Sequence, residues 1–428
     1  MTSNRPDSAV ITRRSILWIG TGLGVGALVG CSATTATPAA SASGSATAAA
    51  ASAASAGNTS LKAGTYDATF TSTQSGPGGG GGTQKLSGAY IVDGIKATID
   101  GGTWASTTAD QNVFLVVNGG SLTLTNATIT KSGDSGEEDA CNFYGLNSAI
   151  LVVGKGSTAT VTNCTVTTAS EGSNALFAAG SGALTASTVT ISTTKNSSRG
   201  LDATYAGTIT AEAMTIDTKG AHCACVATDR GNGTITVTGT NKLTAAGDGS
   251  PCIYSTGDIS VSGATGSAAT SQTMVIEGEN SITLTNSTLT CGANAGMMVY
   301  QSMSGDAASS DSTATKATMT IANSTVTTTA NVPMIYVTNT TCVVNVTGST
   351  LTHPSSSALL SLAEDRWGTG GSNGGHATVT FAGCTLTGAL TAGSSSSATV
   401  ALTTGTKVTG STSGSVTVTK DGTSSMAA

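Results

Sequence analysis

Short runs of alternating polar and hydrophobic residues recur along most of the chain. Ser281–Thr290 reads SITLTNSTLT and Ser121–Thr130 reads SLTLTNATIT, with weaker copies at Thr158–Thr167, Thr318–Thr327 and Thr378–Thr387. Alternation with a period of two, rich in Thr, Val and Ile, is typical of β-strands that bury one face. Each copy therefore predicts a short strand, a one-residue kink and a second short strand.

The second apolar residue of each first strand serves as an anchor for counting the repeat. The predicted anchors are Leu124, Val161, Leu184, Ile209, Val237, Val261, Leu284, Ile321, Val346, Phe381 and, less clearly, Leu402. Most steps between anchors are 23–28 residues and three are 35–37. Regular periods of about 20–50 residues signal repeat architectures, and a step of this size without helix suits one three-stranded coil of a parallel β-helix.

The kink between the two strands favours residues that tolerate a positive φ. Two residues after the anchor stand Asn126, Asn163, Asn286, Asn323, Gly239, Gly263, Gly348 and Gly383, with Ala186 and Ala211 in two coils. Asn and Gly share that tolerance. The pattern predicts a left-handed corner in each coil, with stacked Asn side chains hydrogen-bonded along the axis.

The repeat resembles the right-handed parallel β-helix of pectate-lyase-like proteins and of bacterial surface adhesins, over about residues 86–422. The resemblance rests on repeat geometry alone. It implies an all-β fold, a single right-handed parallel β-helix (solenoid) of about 11–13 coils. It also implies either a binding protein or a lyase that uses Ca²⁺ on carboxylates and an Arg or Lys base.

The N-terminus resembles a bacterial export signal. Thr12–Leu17 is similar to the twin-arginine motif, an apolar run follows at Ile16–Val29, and Leu28–Cys31 resembles a lipobox. The resemblance implies a signal peptide over residues 1–31, lipidation of Cys31, export of the folded chain and anchoring to the outer face of the cytoplasmic membrane or cell surface. The alternative is a chance Arg pair before a membrane span, but the run is shorter than the ~20 residues needed. Residues 32–85, rich in Ala, Ser, Thr and Gly, read as a tether.

The charge composition limits the classes of partner that the protein can bind. Charged residues make up 9% of the chain and the net charge is −6, which argues against a nucleic-acid partner. We expect a monomer whose only membrane contact is the lipid anchor.

Eight cysteines follow Cys31. Aligning Val226 with Ile253 places Cys225 beside Cys252 on neighbouring coils, which predicts a disulfide, with free buried thiols as the alternative. A zinc site at Cys223 and Cys225 lacks a second ligand pair.

A tyrosine stripe is the leading candidate for ligand binding. Tyr254, Tyr300 and Tyr336 follow an apolar residue at what the sequence suggests is one point of the coil, shared with Asp202 and Phe177. Facing outward, they would form a stacking platform for a sugar polymer. Facing inward, they would form an aromatic stack in the core, and alternation alone does not decide between the two.

Charged residues cluster on two consecutive coils. The set comprises Arg199, Asp202, Tyr205, His222, Asp229 and Arg230. Asp202, Asp229 and Arg230 are candidate catalytic residues of a lyase, and Arg199 and Tyr205 are candidate ligand contacts. A structural ion pair at a turn is the alternative.

Two insertions carry further candidates. Asp134, Glu137, Glu138 and Asp139 offer oxygens for Ca²⁺, although the spacing does not match an EF-hand and a solvated acidic loop is the alternative. Trp367 follows two carboxylates in a Gly-rich loop, where it either contacts a sugar or caps the last coils.

The sequence favours a surface-anchored binding protein for a polysaccharide or host glycan, similar to an adhesin. The first alternative is a Ca²⁺-dependent polysaccharide lyase or a glycoside hydrolase. The second alternative is a structural spacer or a flat Thr array that binds ice. The small number of unbroken Thr-x-Thr ladders in the sequence argues against it.

Overall fold

A computed structural model describes residues 61–71, 81–292, 295–302, 307 and 317–428. The predicted signal peptide with Cys31, and most of the predicted tether, lie outside the described residues.

The elements follow one another in short segments. The first are β1 (Gly64–Phe70), β2 (Gly82–Asp93), β3 (Lys96–Asp100), β4 (Thr103–Ser106), β5 (Asn112–Val117), β6 (Ser121–Thr125), β7 (Thr128–Lys131), α1 (Glu138–Tyr144), β8 (Ile150–Val153), β9 (Thr158–Thr162), β10 (Thr165–Thr168), β11 (Leu176–Ala179), β12 (Ala183–Ser187), β13 (Thr190–Thr193), β14 (Leu201–Thr204), β15 (Thr208–Glu212) and β16 (Thr215–Thr218). The middle elements are β17 (Val226–Thr228), β18 (Thr234–Thr238), β19 (Asn241–Ala245), β20 (Ile253–Ser255), β21 (Asp258–Ser262), β22 (Ala264–Ala268), β23 (Met274–Glu277), β24 (Ser281–Thr285), β25 (Thr288–Cys291), β26 (Met297–Tyr300), β27 (Ala317–Ala322) and β28 (Thr325–Thr328). The last are β29 (Ile335–Thr338), β30 (Thr340–Thr347), β31 (Thr350–Thr352), β32 (Leu360–Leu362), β33 (Gly375–Ala382), β34 (Thr385–Thr387), β35 (Leu390–Ala392), β36 (Ser397–Thr403), β37 (Lys407–Thr409), β38 (Thr412–Ser413), β39 (Val416–Lys420) and β40 (Ser425–Ala427).

Three long sheets form the sides of a right-handed parallel β-helix of about 12 turns, which confirms the predicted fold and coil number. Sheet A has 14 strands in the order β1-β2-β5-β8-β11-β14-β17-β20-β23-β26-β29-β32-β35-β38. Sheet B has 13 strands, β3-β6-β9-β12-β15-β18-β21-β24-β27-β30-β33-β36-β39. Sheet C has ten strands in the order β4-β7-β10-β13-β16-β19-β22-β25-β28-β31. Strands β34, β37 and β40 form a small sheet D.

The corner between sheets B and C has the predicted backbone. Asn126, Asn163, Asn286 and Asn323 have φ values of 49–53°, and Gly239, Gly263, Gly348 and Gly383 have φ values of 53–76°. The Asn163 side-chain amide donates to Asn126 Oδ1 at 2.6 Å, so one rung of the predicted Asn ladder is present. The ladder ends on a carboxylate, because Asn126 donates to Asp100 Oδ1 at 2.6 Å.

Two predicted anchors are displaced by two residues. Val161 pairs with Ala186 and Ala186 with Ala211, so these alanines, and not Leu184 and Ile209, occupy the anchor row. The corners of these coils are therefore Thr188 and Ala213, both with φ of 55°. The sequence rule failed because Ala replaces the large apolar residue at the anchor, but a shift of two residues leaves every side chain on its predicted face.

The ordered fold begins before the predicted boundary at residue 86. Strand β1 pairs antiparallel with β2, from Gly64 opposite Gly88 to Phe70 opposite Gly82. Part of the predicted tether is thus the edge strand of sheet A. Its Ala68 and Phe70 side chains are 1% exposed, and they belong to a cluster on the outer face of sheet A and not to the main core.

A continuous apolar core fills the coils. Leu284 and Leu289 from the opening repeat are fully buried in it, as their positions in the pattern predict. The predicted Cys225–Cys252 disulfide is wrong: all eight described cysteines are free and buried. The register is as predicted, with Val226 opposite Ile253. Side chains stacked in this way run parallel about 4.8 Å apart, whereas the Cβ atoms of a disulfide lie about 3.5–4.5 Å apart. Burial raises the pKa of the Cys225 thiol to about 12, which suppresses the reactive thiolate.

The first insertion forms the only helix in the described part of the chain. Gly145 caps the C-terminus of α1, and its left-handed φ of 72° lets its N–H reach the carbonyls of Ala140 and Cys141. Lys131, 1% exposed, fixes the start of the insertion by donating to Thr108 O at 3.0 Å and Ser132 O at 2.5 Å. None of the described residues belongs to a helix long and apolar enough to cross a bilayer.

Candidate functional site

The outer face of sheet A carries most of the charged and aromatic side chains singled out by the sequence. Along β17 and β20 the inward residues Val226 and Ile253 join the main core. Outward residues form separate clusters: one near the N-terminus includes Phe70, Phe177 and Tyr205, and another includes Tyr300. The tyrosine stripe therefore faces outward, as the binding hypothesis requires, but other residues cover much of it.

The tyrosines occupy two rows and not one. Asp202, Ala227, Tyr254, Val275, Met298 and Tyr336 follow one another in register. Tyr300 pairs instead with Glu277 and Thr338, two residues further along its strand. The predicted common position holds for Tyr254 and Tyr336 and is wrong for Tyr300. Because the shift is two residues, Tyr300 keeps the same face.

Glu277 is the centre of this part of the face. It is 2% exposed at the end of β23. Its Oε2 accepts hydrogen bonds from the hydroxyls of Tyr254 and of Tyr300, the latter at 2.7 Å. Its Oε1 accepts from the Ser302 hydroxyl. A buried carboxylate needs such donors, and three hydroxyls supply them.

Burial and the Glu277 charge change the acidity of both tyrosines. The pKa values of Tyr254 and Tyr300 lie well above their usual 10, first because burial disfavours the phenolate and then because Glu277 repels it. Both hydroxyls therefore remain donors over the ordinary pH range.

The insertion after β32 adds a second tyrosine–carboxylate pair and an aromatic lid. The Tyr336 hydroxyl donates to Asp365 Oδ2 at 2.8 Å. The Trp367 ring packs on Tyr300 with centroids 5.1 Å apart, and the Arg366 guanidinium lies 4.6 Å from the Trp367 ring centre. Tyr300 is fully buried, whereas Tyr254, Tyr336 and Trp367 remain partly exposed. These three partly exposed aromatics, with Glu277 and Asp365, are called here the Tyr–Trp site.

Four of the charged residues predicted to cluster on coils β14 and β17 come together and are buried, namely Arg199, Asp202, Asp229 and Arg230, whereas His222 is exposed. Arg199 Nη2 lies 2.9 Å from Asp229 Oδ2 and Nη1 lies 3.4 Å from Asp202 Oδ2. Asn142 of α1 accepts from the same guanidinium at 2.6 Å. The Arg230 guanidinium lies 3.7 Å from the Phe143 ring centre, so α1 covers the whole group.

Burial sets the protonation of this group. The pKa of Asp202 is raised well above its usual 3.8, first by burial, with Asp229 adding to the effect and Arg199 opposing it. The pKa of Arg199 is raised further because both carboxylates outweigh its desolvation. Asp202 Oδ1 has no hydrogen-bond partner within the described residues. Tyr205, predicted to contact ligand, is 2% exposed and stacks on Tyr144 at 5.6 Å.

The four acidic residues of the first insertion do not converge on a common point. Asp134 accepts the Glu171 backbone N–H at 3.0 Å, while Glu137 precedes α1 and Glu138 and Asp139 begin it. Glu138 Oε1 accepts from Ser197 at 2.6 Å and lies 3.9 Å from His222 Nδ1. The interaction with His222, and to a smaller extent the hydrogen bond from Ser197, lowers the pKa of Glu138 to about 2.

The predicted calcium loop is therefore not assembled. Among the described residues no group of three or more His, Cys, Asp and Glu side chains is placed to hold a metal ion. The zinc site considered at Cys223 and Cys225 is not formed either. The Cys223 sulfur lies 3.1 Å from the Lys195 carbonyl and accepts the Ser198 N–H at 3.0 Å.

Sequence reasoning missed Glu277 and Asn142. Glu277 ends Met274–Glu277, a third strand that the repeat count overlooked, and the available signal was an acid directly after the apolar residues 274–276 of a charge-poor chain. Asn142 had no signal, since its role depends on α1 folding back over sheet A. A further insertion expected from the long step between Leu284 and Ile321 falls at residues 303–316, most of which lie outside the described residues.

Comparison with known proteins adds little. No protein-family model and no curated protein matches the sequence. One solved structure to which the chain is similar is the TibC-catalysed hyper-glycosylated fragment 55–350 of TibA. It is 14% identical, with 75% of this chain and 99% of that one covered at a TM-score of 0.29. A likeness at this level supports no argument about function.

Proposed function

We propose that this protein is an exported, lipid-anchored β-helix that binds glycans at the Tyr–Trp site on the outer face of sheet A. The observation that carries the proposal is the set of partly exposed rings, Tyr254, Tyr336 and Trp367, held beside buried or half-buried carboxylates. Aromatic faces stack on sugar rings, and carboxylates and phenols accept and donate hydrogen bonds to hydroxyls. Arg13, Arg14 and Cys31 support the export and anchoring part of the proposal.

The charge of the site indicates which sugars it takes. Glu277, Asp365 and the adjacent Glu364 carry three formal negative charges and Arg366 carries one positive charge, so these four residues have a formal net charge of −2. Polyanions would be repelled by this balance. Neutral or amino-sugar chains therefore fit the Tyr–Trp site better than uronic-acid chains.

The geometry favours binding over the lyase alternative. Arg199 is clamped between two carboxylates and its pKa is raised, so it cannot serve as a base. Asp202, Asp229 and Arg230 are 0–7% exposed beneath α1, which leaves a polymer no path to them in this conformation. A hydrolase or lyase at this position would require α1 to move away.

The test is binding of soluble glycans to the full chain, comparing a neutral glucan, a chitosan oligosaccharide and polygalacturonate. Removal of one stacking ring by Trp367→Ala or Tyr336→Ala should weaken binding about tenfold, the equivalent of about 1.4 kcal/mol. Tyr66→Ala, which removes a partly buried ring from β1, is the matched control and should bind as the unaltered protein does.

Two results would overturn the proposal. One is the absence of binding to any of the three glycans. The other is the appearance of unsaturated chain ends, with or without Ca²⁺, because that would identify a lyase. Preference for polygalacturonate would contradict only the sugar class.

A further inference from the structure

The outer face of sheet B is a regular array of hydroxyl groups. Its central column is Thr98, Thr123, Thr160, Thr185, Thr210, Thr236, Ser260, Thr283 and Thr320, in register without interruption over nine coils. The expectation that the chain has few unbroken Thr ladders is therefore wrong for sheet B. The ladder is hidden in the sequence because coils of unequal length separate its members.

Two further columns flank the central one. From β6 to β27 the eight strands offer 24 outward positions, and all but Ala183, Glu212, Asp258 and Ala322 are Thr or Ser. Every residue of the central column is exposed or half-exposed. The face is also nearly neutral, with Glu212 and Asp258 as its only charges over these coils.

The spacing of the array is fixed by the backbone. Neighbouring strands place hydroxyls about 4.8 Å apart along a column, and alternate residues place columns roughly 6.6 Å apart. Each Thr presents a methyl group and a hydroxyl. In-register parallel pairing holds them in place without any rearrangement.

Sheet A does not offer such a face, and sheet C, although also rich in outward Thr and Ser, has no hydroxyl column that runs uninterrupted over nine coils. Sheet A is covered by α1 and by the insertion that carries Trp367. On sheet C the outward columns are interrupted in consecutive coils by Asp217 and Lys242.

We propose that the outer face of sheet B binds the surface of ice. A neutral two-dimensional lattice complements a partner that is itself neutral and periodic. Water is the chemistry that fits, because hydroxyls at both repeats can join a hydrogen-bonded water lattice while the methyl groups between them exclude mobile water. A soluble macromolecule has no such repeat over nine coils. This function is separate from glycan binding at the Tyr–Trp site.

The experiment is inhibition of ice recrystallisation, together with thermal hysteresis, by the full chain. The variant pair Thr185→Lys and Thr210→Lys places charge in the central column of sheet B. The matched control, Thr190→Lys and Thr215→Lys, makes the same changes on the same coils in sheet C. Circular dichroism and the guanidinium midpoint establish that each variant is folded.

The proposal predicts activity in the unaltered protein, loss of most of it in the folded sheet B variants, and retention in the sheet C variants. It is overturned if the unaltered protein lacks activity, or if both variant pairs behave alike. Binding to crystalline cellulose or chitin, or self-association, that disappears in the sheet B variants while ice activity is absent would assign the face to that occupant instead.

Discussion

The outer faces of sheets A and B share one backbone geometry and differ in every other respect. In both, each side chain stacks on its in-register neighbour about 4.8 Å away. Sheet B fills these positions with Thr and Ser, which stack without penalty and favour strands. Sheet A carries acids, arginines and tyrosines that differ from coil to coil, and insertions cover them. Like charges repel each other at this distance, so a site built from charged side chains cannot carry the same residue in every coil.

The largest expected difference between the faces lies in stability. Arg199→Ala leaves Asp202 and Asp229 buried without their cation, which should cost about 3–5 kcal/mol of unfolding free energy. The comparison variant, Thr210→Ala on sheet B, should change it by no more than about 0.5 kcal/mol. Guanidinium unfolding followed by circular dichroism measures both. Equal midpoints would show that the ion cluster does not stabilise sheet A.

Sequence alone was sufficient for the scaffold because the repeat records it locally. Asn286 at the corner and Leu284 in the core follow from φ tolerance and alternation within one coil. The site depended on contacts between distant segments, such as Asn142 with Arg199 and Trp367 with Tyr300. No local pattern encodes such contacts. The row that Tyr300 occupies could not be predicted either, because β23, which sets the register of Tyr300, was not recognised in the sequence.

A second difference should appear in alkaline solution. The folded pKa values of Tyr254 and Tyr300 exceed the unfolded value of about 10, so the stability they contribute is complete below pH 10 and is lost as pH rises through the folded values. Glu277→Gln removes one cause of the shift and should reduce the alkaline loss of stability. Asp258→Asn on sheet B should not. Tyrosinate absorbance and guanidinium midpoints between pH about 8 and about 11 measure the effect, and identical behaviour of the two variants would contradict it.

The corner beside sheet B offers a smaller test with opposite signs. Ala213 holds a φ of 55°, which strains a residue with a Cβ, so Ala213→Gly should stabilise the protein by about 0.5–1 kcal/mol. Gly239 occupies the same corner one coil later with a φ of 76°, and Gly239→Ala should destabilise it by about 1–2 kcal/mol. Thermal midpoints measure both. Destabilisation by both changes would show that the corner backbone is not the source of strain.

The smallest effect concerns the docking of α1 on sheet A in acid. The Glu138 pKa is lowered from 4.5 to about 2, so its contribution to stability is present above pH 4.5 and is lost as pH falls through about 2. Glu138→Gln should therefore lower the guanidinium midpoint slightly near neutral pH and have no effect at pH about 2. Glu212→Gln on sheet B is the control. A midpoint difference for Glu138→Gln that persists in acid would contradict the predicted contribution.

The most direct test of the claim that glycan binding lies where the repeat is broken is a glycan titration of three proteins. These are the unaltered chain, Trp367→Ala on the covered face of sheet A, and Thr236→Ala on the open face of sheet B. We expect the dissociation constant to rise about tenfold for Trp367→Ala and to stay unchanged for Thr236→Ala. Weaker binding by Thr236→Ala with unchanged binding by Trp367→Ala would place the glycan on the regular face and contradict the claim.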